Sequence, residues 1–136
     1  MSFLSKFKPY EKCMAPGVLL PKIKIEDRHY EDLGIKKGVS NYDFLRELCL
    51  KGVRDKGINK KEDNEKQIYY SRAKMELQIL DSLGFIDYIL LNWDILNYCH
   101  DNNIPTGPGR GSAAGSLVLF LINVTKIDPV ENDLFF

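Results

Sequence analysis

Apolar residues recur every three or four positions in three stretches after residue 40, which is the spacing of one face of an α-helix. The first predicted helix opens with SNYD at residues 40–43, a capping-box pattern in which Ser40 is the N-cap. One face of this helix carries Phe44, Leu45, Leu48 and Val53. Gly52 and Gly57 lie at the far end of the pattern, and we expect the helix to end there.

Two more helices are predicted further along the chain. The mixed-charge run over residues 60–66 is interpreted as a solvated loop or a first helical turn. After it, a second helix ends at Gly84 and carries, at helical spacing, Tyr69, Ala73, Leu77 and Leu80. The third helix covers residues 86–101, and its broad apolar surface contains Ile89, Leu90, Trp93, Leu96 and Tyr98. We interpret these aromatic residues as core rather than as a platform on which bases stack.

The first 25 residues differ from the rest of the chain. Prolines at positions 9, 16 and 21 and Gly17 interrupt short apolar pieces, and five lysines precede residue 25 against one acidic residue, Glu11. We interpret residues 1–25 as an extended basic arm or linker, which either contacts a polyanion or is simply solvated. The predicted organisation is this arm, a helical region over residues 26–103 and a glycine-rich part over residues 104–136.

The composition is that of an ordinary globular protein, and it excludes several classes. A chain of 136 residues suffices for one domain, and its formal net charge of zero provides no overall basic field for nucleic acid. The three cysteines and two histidines lack CxxC, HxH or HExxH spacing, so we predict reduced thiols and no metal site. No apolar run approaches 18 residues and no signal-peptide pattern is present. We therefore expect a soluble, cytoplasmic protein with no membrane partner.

The stretch PTGPGRGSAAGSLVLF at residues 105–120 carries the strongest chemical signal. Residues 113–122 contain no charge, which predicts a helix buried on all sides that begins near Ser112, a good N-cap residue. The free N–H groups and the positive dipole end of such a helix would bind an anion, and Gly109 and Gly111 would let a phosphate approach the backbone. Arg110 can hold two phosphate oxygens. The pattern predicts a polyphosphate-binding loop.

Other interpretations of this stretch are weaker. No lysine follows the glycines, which excludes a Walker A loop. The spacing Gly109-x-Gly111-x-x-Ala114 satisfies the dinucleotide fingerprint, but the preceding residues are too short and proline-broken for a strand, and the acidic Asp128 directly precedes a proline. A glycine turn needed only for close helix packing stays open, although packing gives no reason for Arg110.

At these residues the chain resembles a known family. Residues 66–136 strongly resemble the C-family DNA polymerases, the α subunits of bacterial replicative DNA polymerase III. The resemblance is carried by GPGRGSAAGSLV at residues 107–118, and Thr125, IDP at 127–129 and DL at 133–134 follow in register. It implies a mostly α fold, with α+β character where a nucleotidyltransferase-like (β-type) polymerase palm begins after the preceding helices.

The resemblance also implies a function and a site. The function is DNA-directed DNA synthesis, in which Gly109, Arg110, Gly111 and Ser112 form the loop that binds the triphosphate of the incoming dNTP. Backbone N–H groups and the Ser112 hydroxyl would contact phosphate oxygens, while Arg110 would stabilise charge on the β- and γ-phosphates. Ser116, one turn further along, is interpreted as a packing residue.

The departures from the family pattern concern catalysis. The metal-binding aspartates follow the DLLF run in the family, whereas this chain stops at Phe136, and Asp128 and Asp133 match non-catalytic positions. We therefore assign no catalytic or metal residues to this chain and expect it to be inactive alone. Mg²⁺ would be bound only in a completed active site. We also expect part of the buried helix to lack cover here, because a palm sheet would need strands beyond Phe136.

Three functional hypotheses follow. The first is an N-terminal piece of a split polymerase, completed by a polypeptide that carries the aspartates and acting on dNTP and primer-template DNA. The starting Met1 and the arm outside the family pattern favour it. The second is a non-catalytic regulatory module that binds a nucleotide or a polymerase partner. The third is a remnant with a structural role.

Overall fold

The computed structural model describes residues 3–6, 17 and 20–136. Most of the predicted arm therefore lies outside the described residues. The described part contains five α-helices: α1 (Asp27–Leu33), α2 (Asn41–Asp55), α3 (Asp63–Ser82), α4 (Ile86–Asp101) and α5 (Leu117–Leu121). Short 3₁₀ turns occur at Phe3–Lys6, Ile58–Lys60 and Gly111–Gly115. Within that part, no helix is long and apolar enough to cross a membrane.

Helix α2 begins where the capping pattern predicts. The Ser40 hydroxyl oxygen accepts a hydrogen bond from the Asp43 N–H at 3.1 Å, which satisfies one of the N–H groups that the first helical turn leaves without a partner. The predicted apolar face of α2 is buried, and Phe44 and Leu45 are completely inaccessible to solvent. The sequence interpretation of this helix start is confirmed.

Loss of this cap is expected to destabilise the protein moderately. Ser40→Ala removes the side-chain oxygen that caps α2, so the free energy of unfolding should fall by about 1 kcal/mol. Urea denaturation followed by circular dichroism measures the difference. Ser40→Thr keeps a hydroxyl oxygen at the same place and should retain most of the stability. Equal stabilities of Ser40→Ala and the wild type would contradict the capping role.

Helix α5 lies at the centre of the molecule. It packs against α2 on one side and α3 on the other, while α2 also contacts α1 and α4. Leu117 and Val118 are completely buried and Leu121 is nearly so. The predicted burial of residues 113–122 is confirmed at most positions from Gly115 onward, whereas Ala113 is exposed and Ala114 is half-buried. The expected lack of cover is wrong. Neighbouring helices of this chain already enclose α5, so this segment presents no large apolar surface for association.

The sequence suggested that helix α2 could end at Gly52, but it does not end there. The helix continues to Asp55, and the left-handed backbone of Gly57 (φ 70°) follows its end. Gly52 is instead buried at the crossing of α2 and α5, where a Cβ atom would collide with the carbonyl oxygen of Leu121. The absence of a side chain lets the two helix backbones approach each other closely.

Helices α3 and α4 match the predicted ranges with one correction. Tyr69, Ala73, Leu77 and Leu80 are buried as expected, and Gly84 follows the end of α3 in a left-handed conformation (φ 74°). On α4, Ile89, Leu90 and Trp93 are buried and Leu96 is half-buried, but Tyr98 is 59% exposed. The prediction of Tyr98 as a core residue is wrong, because it lies on the side of α4 that no described element covers.

The α+β character expected where a palm begins is not observed. Residues 20–136 contain helices, turns and irregular segments, and no β-strand. After α5 the chain forms a series of turns up to residue 133. Local hydrogen bonds stabilise these turns; for example, the Asn132 N–H donates to the Asp128 carbonyl oxygen at 3.2 Å. This part of the chain is all-helical in its regular structure.

Candidate functional site

The glycine-rich stretch folds as a loop, a tight turn and a short helix. Residues 104–110 are irregular, Gly111–Gly115 form a 3₁₀ turn, and α5 begins at Leu117. The Ser116 hydroxyl accepts from the Leu119 N–H at 3.3 Å, so Ser116 is the N-cap. The prediction of a continuous helix starting near Ser112 is wrong. Ser116 has extended backbone angles (φ −89°, ψ 120°), which separate the turn from the helix.

A buried glutamate occupies the N-terminus of α5. Glu76, completely buried on α3, accepts hydrogen bonds from the Leu117 N–H at its Oε1 and from the Val118 N–H at its Oε2, both at 3.0 Å. Its Oε2 also accepts from the Ser116 hydroxyl at 2.9 Å. A carboxylate at this end of a helix is favoured by the helix dipole. The α5 N-terminus is thus filled from within the chain, and the predicted anion site at a helix N-terminus is not formed there.

Arg72 links the same glutamate to the glycine turn. One turn before Glu76 on α3, its Nε donates to Glu76 Oε1 at 3.0 Å, and its Nη2 donates to the Gly115 carbonyl oxygen at 2.5 Å. The Arg72 side chain is 19% exposed. Each Glu76 oxygen therefore accepts two hydrogen bonds, which uses the full acceptor capacity of a carboxylate. The buried charge is paired and satisfied, as burial of a charge requires.

The sequence interpretation missed Glu76, although one signal was present. Residue 76 falls on the predicted apolar face of the second helix, between Ala73 and Leu77. An acidic side chain on such a face has to be paired or hydrogen-bonded once it is buried. Arg72, four residues earlier, was a candidate partner by helical spacing. The N–H groups of α5 that donate to Glu76 could not be identified without the tertiary structure.

The start of the glycine loop is held by Lys126. Its backbone N–H donates to the Pro108 carbonyl oxygen and its Nζ donates to the Thr106 carbonyl oxygen, both at 2.9 Å. Gly109 (φ 111°) lies directly over Thr125, whose Cγ2 would be 2.9 Å from an added Cβ. The left-handed backbone and this close approach both require glycine at 109.

The four predicted site residues lie together and face solvent. Gly109, Arg110, Gly111 and Ser112 are consecutive and exposed, and Gly111 (φ 60°) has open space around its Cα. Arg110 has an extended backbone, and its side chain makes no hydrogen bond or ion pair with any other residue in the described part of the chain. The first i→i+3 hydrogen bond of the turn is donated by the Ala113 N–H, so the Gly111 and Ser112 N–H groups have no partner within the turn. The loop thus offers N–H donors and one guanidinium to an anion.

The carboxylates near this loop do not form a metal site. Among the described residues, no group of three histidine, cysteine, aspartate or glutamate side chains is arranged to hold a metal ion. Asp128 is engaged in structure: its Oδ2 accepts from the Tyr69 hydroxyl at 2.6 Å and its Oδ1 accepts from the Val130 N–H at 2.9 Å. Burial, and then the hydrogen bond to Asp128, raise the pKa of Tyr69. Asp128 is thus engaged in structural hydrogen bonds, and the described carboxylates form no cluster of three that could hold Mg²⁺.

Comparison with known proteins identifies the family. Residues 43–136 match the family described as the bacterial DNA polymerase III alpha NTPase domain. The DNA polymerase III subunit alpha of Chlamydia trachomatis is 45% identical over 102 residues, which cover 68% of this chain and 8% of the relative. The protein of the same name from Bacillus subtilis is 38% identical over 99 residues, covering 73% of the chain and 8% of the relative. The DNA polymerase III subunit alpha of Ureaplasma parvum is 38% identical over 101 residues, which cover 74% of this chain and 10% of the relative.

The match includes helices α3 to α5, the glycine loop and the Glu76 network, while the chain spans a tenth or less of these relatives. The resemblance found in the sequence is confirmed: this chain belongs to the bacterial DNA polymerase III alpha family.

Proposed function

We propose that this chain contributes the dNTP triphosphate-binding loop to a replicative DNA polymerase whose metal-binding aspartates are supplied by a separate polypeptide. The observation that carries the proposal is the exposed loop over residues 109–112. Two glycines with left-handed backbone there surround an arginine that has no partner among the described residues. A loop needed only for packing gives no reason for a charged side chain at this position.

The physical role of each loop residue follows from its position. Gly111 leaves space for a phosphate oxygen close to the backbone, and the neighbouring N–H groups donate to it. Arg110 adds a positive charge that can form two parallel hydrogen bonds to phosphate oxygens. Charge accumulates on the β- and γ-phosphates as pyrophosphate leaves, and a fixed guanidinium stabilises that charge. Ser112 supplies one hydroxyl.

The remaining chemistry of nucleotide transfer has to come from outside the described residues. Activation of a primer hydroxyl by Mg²⁺ needs carboxylates that residues 20–136 do not bring together. The proposed partners are therefore the polypeptide that carries those carboxylates, the dNTP and primer-template DNA. This role would place the chain in the cytoplasm, where bacterial DNA is replicated.

A second candidate function is a regulatory module that binds a nucleotide without catalysis. The exposed loop and the Arg110 side chain suit it equally, because binding a nucleotide needs phosphate contacts but no catalytic carboxylates. The two functions differ in one measurable property. A polymerase component restores DNA synthesis when it is combined with the aspartate-bearing polypeptide, whereas a regulatory module binds the nucleotide but restores no synthesis.

Nucleotide binding by the loop is testable on this chain. Titration with dATP and Mg²⁺ should shift the backbone amide NMR signals of residues 109–113 more than those of other residues. Arg110→Ala removes a charged donor and should weaken binding by roughly tenfold, the equivalent of about 1.5 kcal/mol. Arg54→Ala, which removes an exposed arginine from α2, is the matched control and should leave the affinity unchanged. Equal losses in both variants would indicate general charge attraction and would contradict the site.

A further inference from the structure

We infer that Glu76 and Arg72 are positioning residues of the nucleotide-binding loop, acting through Gly115 and Ser116 without touching the nucleotide themselves. This inference rests on the proposed function. It concerns two residues of α3, outside the glycine motif, that no resemblance assigned to the site. The observations that carry it are four hydrogen bonds to one buried carboxylate and one from Arg72 to the turn.

These hydrogen bonds fix the C-terminal end of the loop. Gly115 is the last residue of the 3₁₀ turn, and its carbonyl oxygen is bound by Arg72 Nη2. Ser116 and Leu117 follow directly and are bound by Glu76. Gly115 itself is buried, and a Cβ there would collide with the carbonyl oxygen of Phe135, so the turn cannot shift toward the C-terminal segment. The position of Gly115 is thus set from two sides.

The start of the loop is held separately, through Lys126 and the Pro108 and Thr106 carbonyl oxygens. Residues 109–112 lie between these two attachments and carry the proposed phosphate contacts. A binding loop fixed at both ends needs little rearrangement when the ligand arrives, which is how preorganised donors gain their effect. The hydrogen bonds of Glu76 and Arg72 therefore restrict a segment that its glycines would otherwise leave flexible.

The same pair also determines where the phosphates cannot bind. The α5 N-terminus would attract an anion if its N–H groups were free. Glu76 accepts from the Leu117 and Val118 N–H groups, and its negative charge lies at that position. The triphosphate is directed to the N–H groups of the turn, one turn earlier in the chain, beside Arg110.

The test compares variants of α3 by three measurements: thermal unfolding, amide hydrogen exchange of residues 111–118, and dATP affinity. Glu76→Gln keeps the shape but replaces one accepting oxygen by an NH₂ group that faces donors. It should raise exchange of the Leu117 and Val118 amides and weaken dATP binding at least tenfold, at a temperature where the variant is still folded. Gln67→Ala is the matched control, because it removes one exposed hydrogen bond within the same helix, from Gln67 Nε2 to the Ser71 hydroxyl. It should leave loop exchange and dATP affinity within twofold of the wild type.

Arg72→Lys provides a second variant in case Glu76→Gln does not fold. A lysine keeps the charge beside Glu76 but cannot reproduce the fork that binds both Glu76 and Gly115. It should weaken dATP binding with a smaller loss of stability. Normal dATP affinity in the folded α3 variants, together with a loss in Arg110→Ala, would overturn this inference and leave the proposed function standing. Absence of dATP binding by the wild-type chain would overturn the proposed function and this inference with it.

Discussion

Arg110→Ala is expected to lower nucleotide incorporation by the completed polymerase by roughly 10²–10³-fold, the usual loss on removing one preorganised charge-stabilising donor. The guanidinium is exposed and bound to no described residue, so its removal should leave the fold intact. Steady-state primer extension, with the chain combined with the aspartate-bearing polypeptide identified by co-purification, measures the effect. The chain without that polypeptide should show no extension, and this is the baseline.

Three further variants separate a binding loop from a packing turn. Arg110→Lys should restore part of the activity, because a point charge cannot form the paired hydrogen bonds of arginine. Gly111→Val should abolish most incorporation, since its side chain would fill the open space beside the backbone that a phosphate needs and would strain a left-handed residue. Ser112→Ala should be mild, because the backbone N–H remains. If the loop serves packing alone, the order reverses: Gly111→Val unfolds the chain and Arg110→Ala has no kinetic effect.

Gly52→Ala is expected to destabilise the fold by about 3 kcal/mol, at the upper end of the range for overpacking a core. The usual effect of this substitution inside a helix has the opposite sign, because alanine is favoured over glycine by about 1 kcal/mol. Here the new methyl group would collide with the Leu121 carbonyl oxygen of α5. A backbone atom cannot rotate away as a side chain can, so α2 and α5 would have to separate.

The measurement for Gly52→Ala is the free energy of unfolding in urea. Arg54→Ala, two residues later on the exposed side of α2, is the control and should change stability by less than about 0.5 kcal/mol. Because α5 follows the glycine turn, Gly52→Ala should also weaken dATP binding, which the same NMR titration reports. A stability equal to or above that of the wild type would contradict the close crossing of α2 and α5.

The regular part of the fold could be predicted because it depends on short-range rules. The Ser40 cap, the apolar faces of α2 and α3 and the glycine that follows α3 are properties of residues within one or two turns of each other. Helical periodicity and capping chemistry are local, so the sequence contains them directly. The loop over residues 109–112 was found for the same reason, since its composition alone indicates an exposed, sharply turning backbone with one charge.

The errors concern contacts between segments distant in the chain. A glycine such as Gly52 is typical of a helix end, yet here its role is to let α2 approach the backbone of Leu121, which lies 69 positions later in the chain. The 113–122 segment has the composition of one buried helix, yet it divides at Ser116. There the Glu76 carboxylate of α3 accepts hydrogen bonds from the first N–H groups of α5, in place of the backbone carbonyl oxygens that a longer helix would provide. Hydrogen-bond partners 40 or more residues away leave no periodic signal in the sequence.

The amino-acid sequence by itself determined the family, the positions of the main helices and the loop that carries Arg110. The tertiary structure decided how that loop is held: by Lys126 at its start, and by Arg72 and Glu76 at its end. The physical reason is that a glycine-rich segment has no preferred conformation of its own. Its shape comes from the side chains that bind its carbonyl and N–H groups, and those side chains are brought to it only by the packing of α3 and α5.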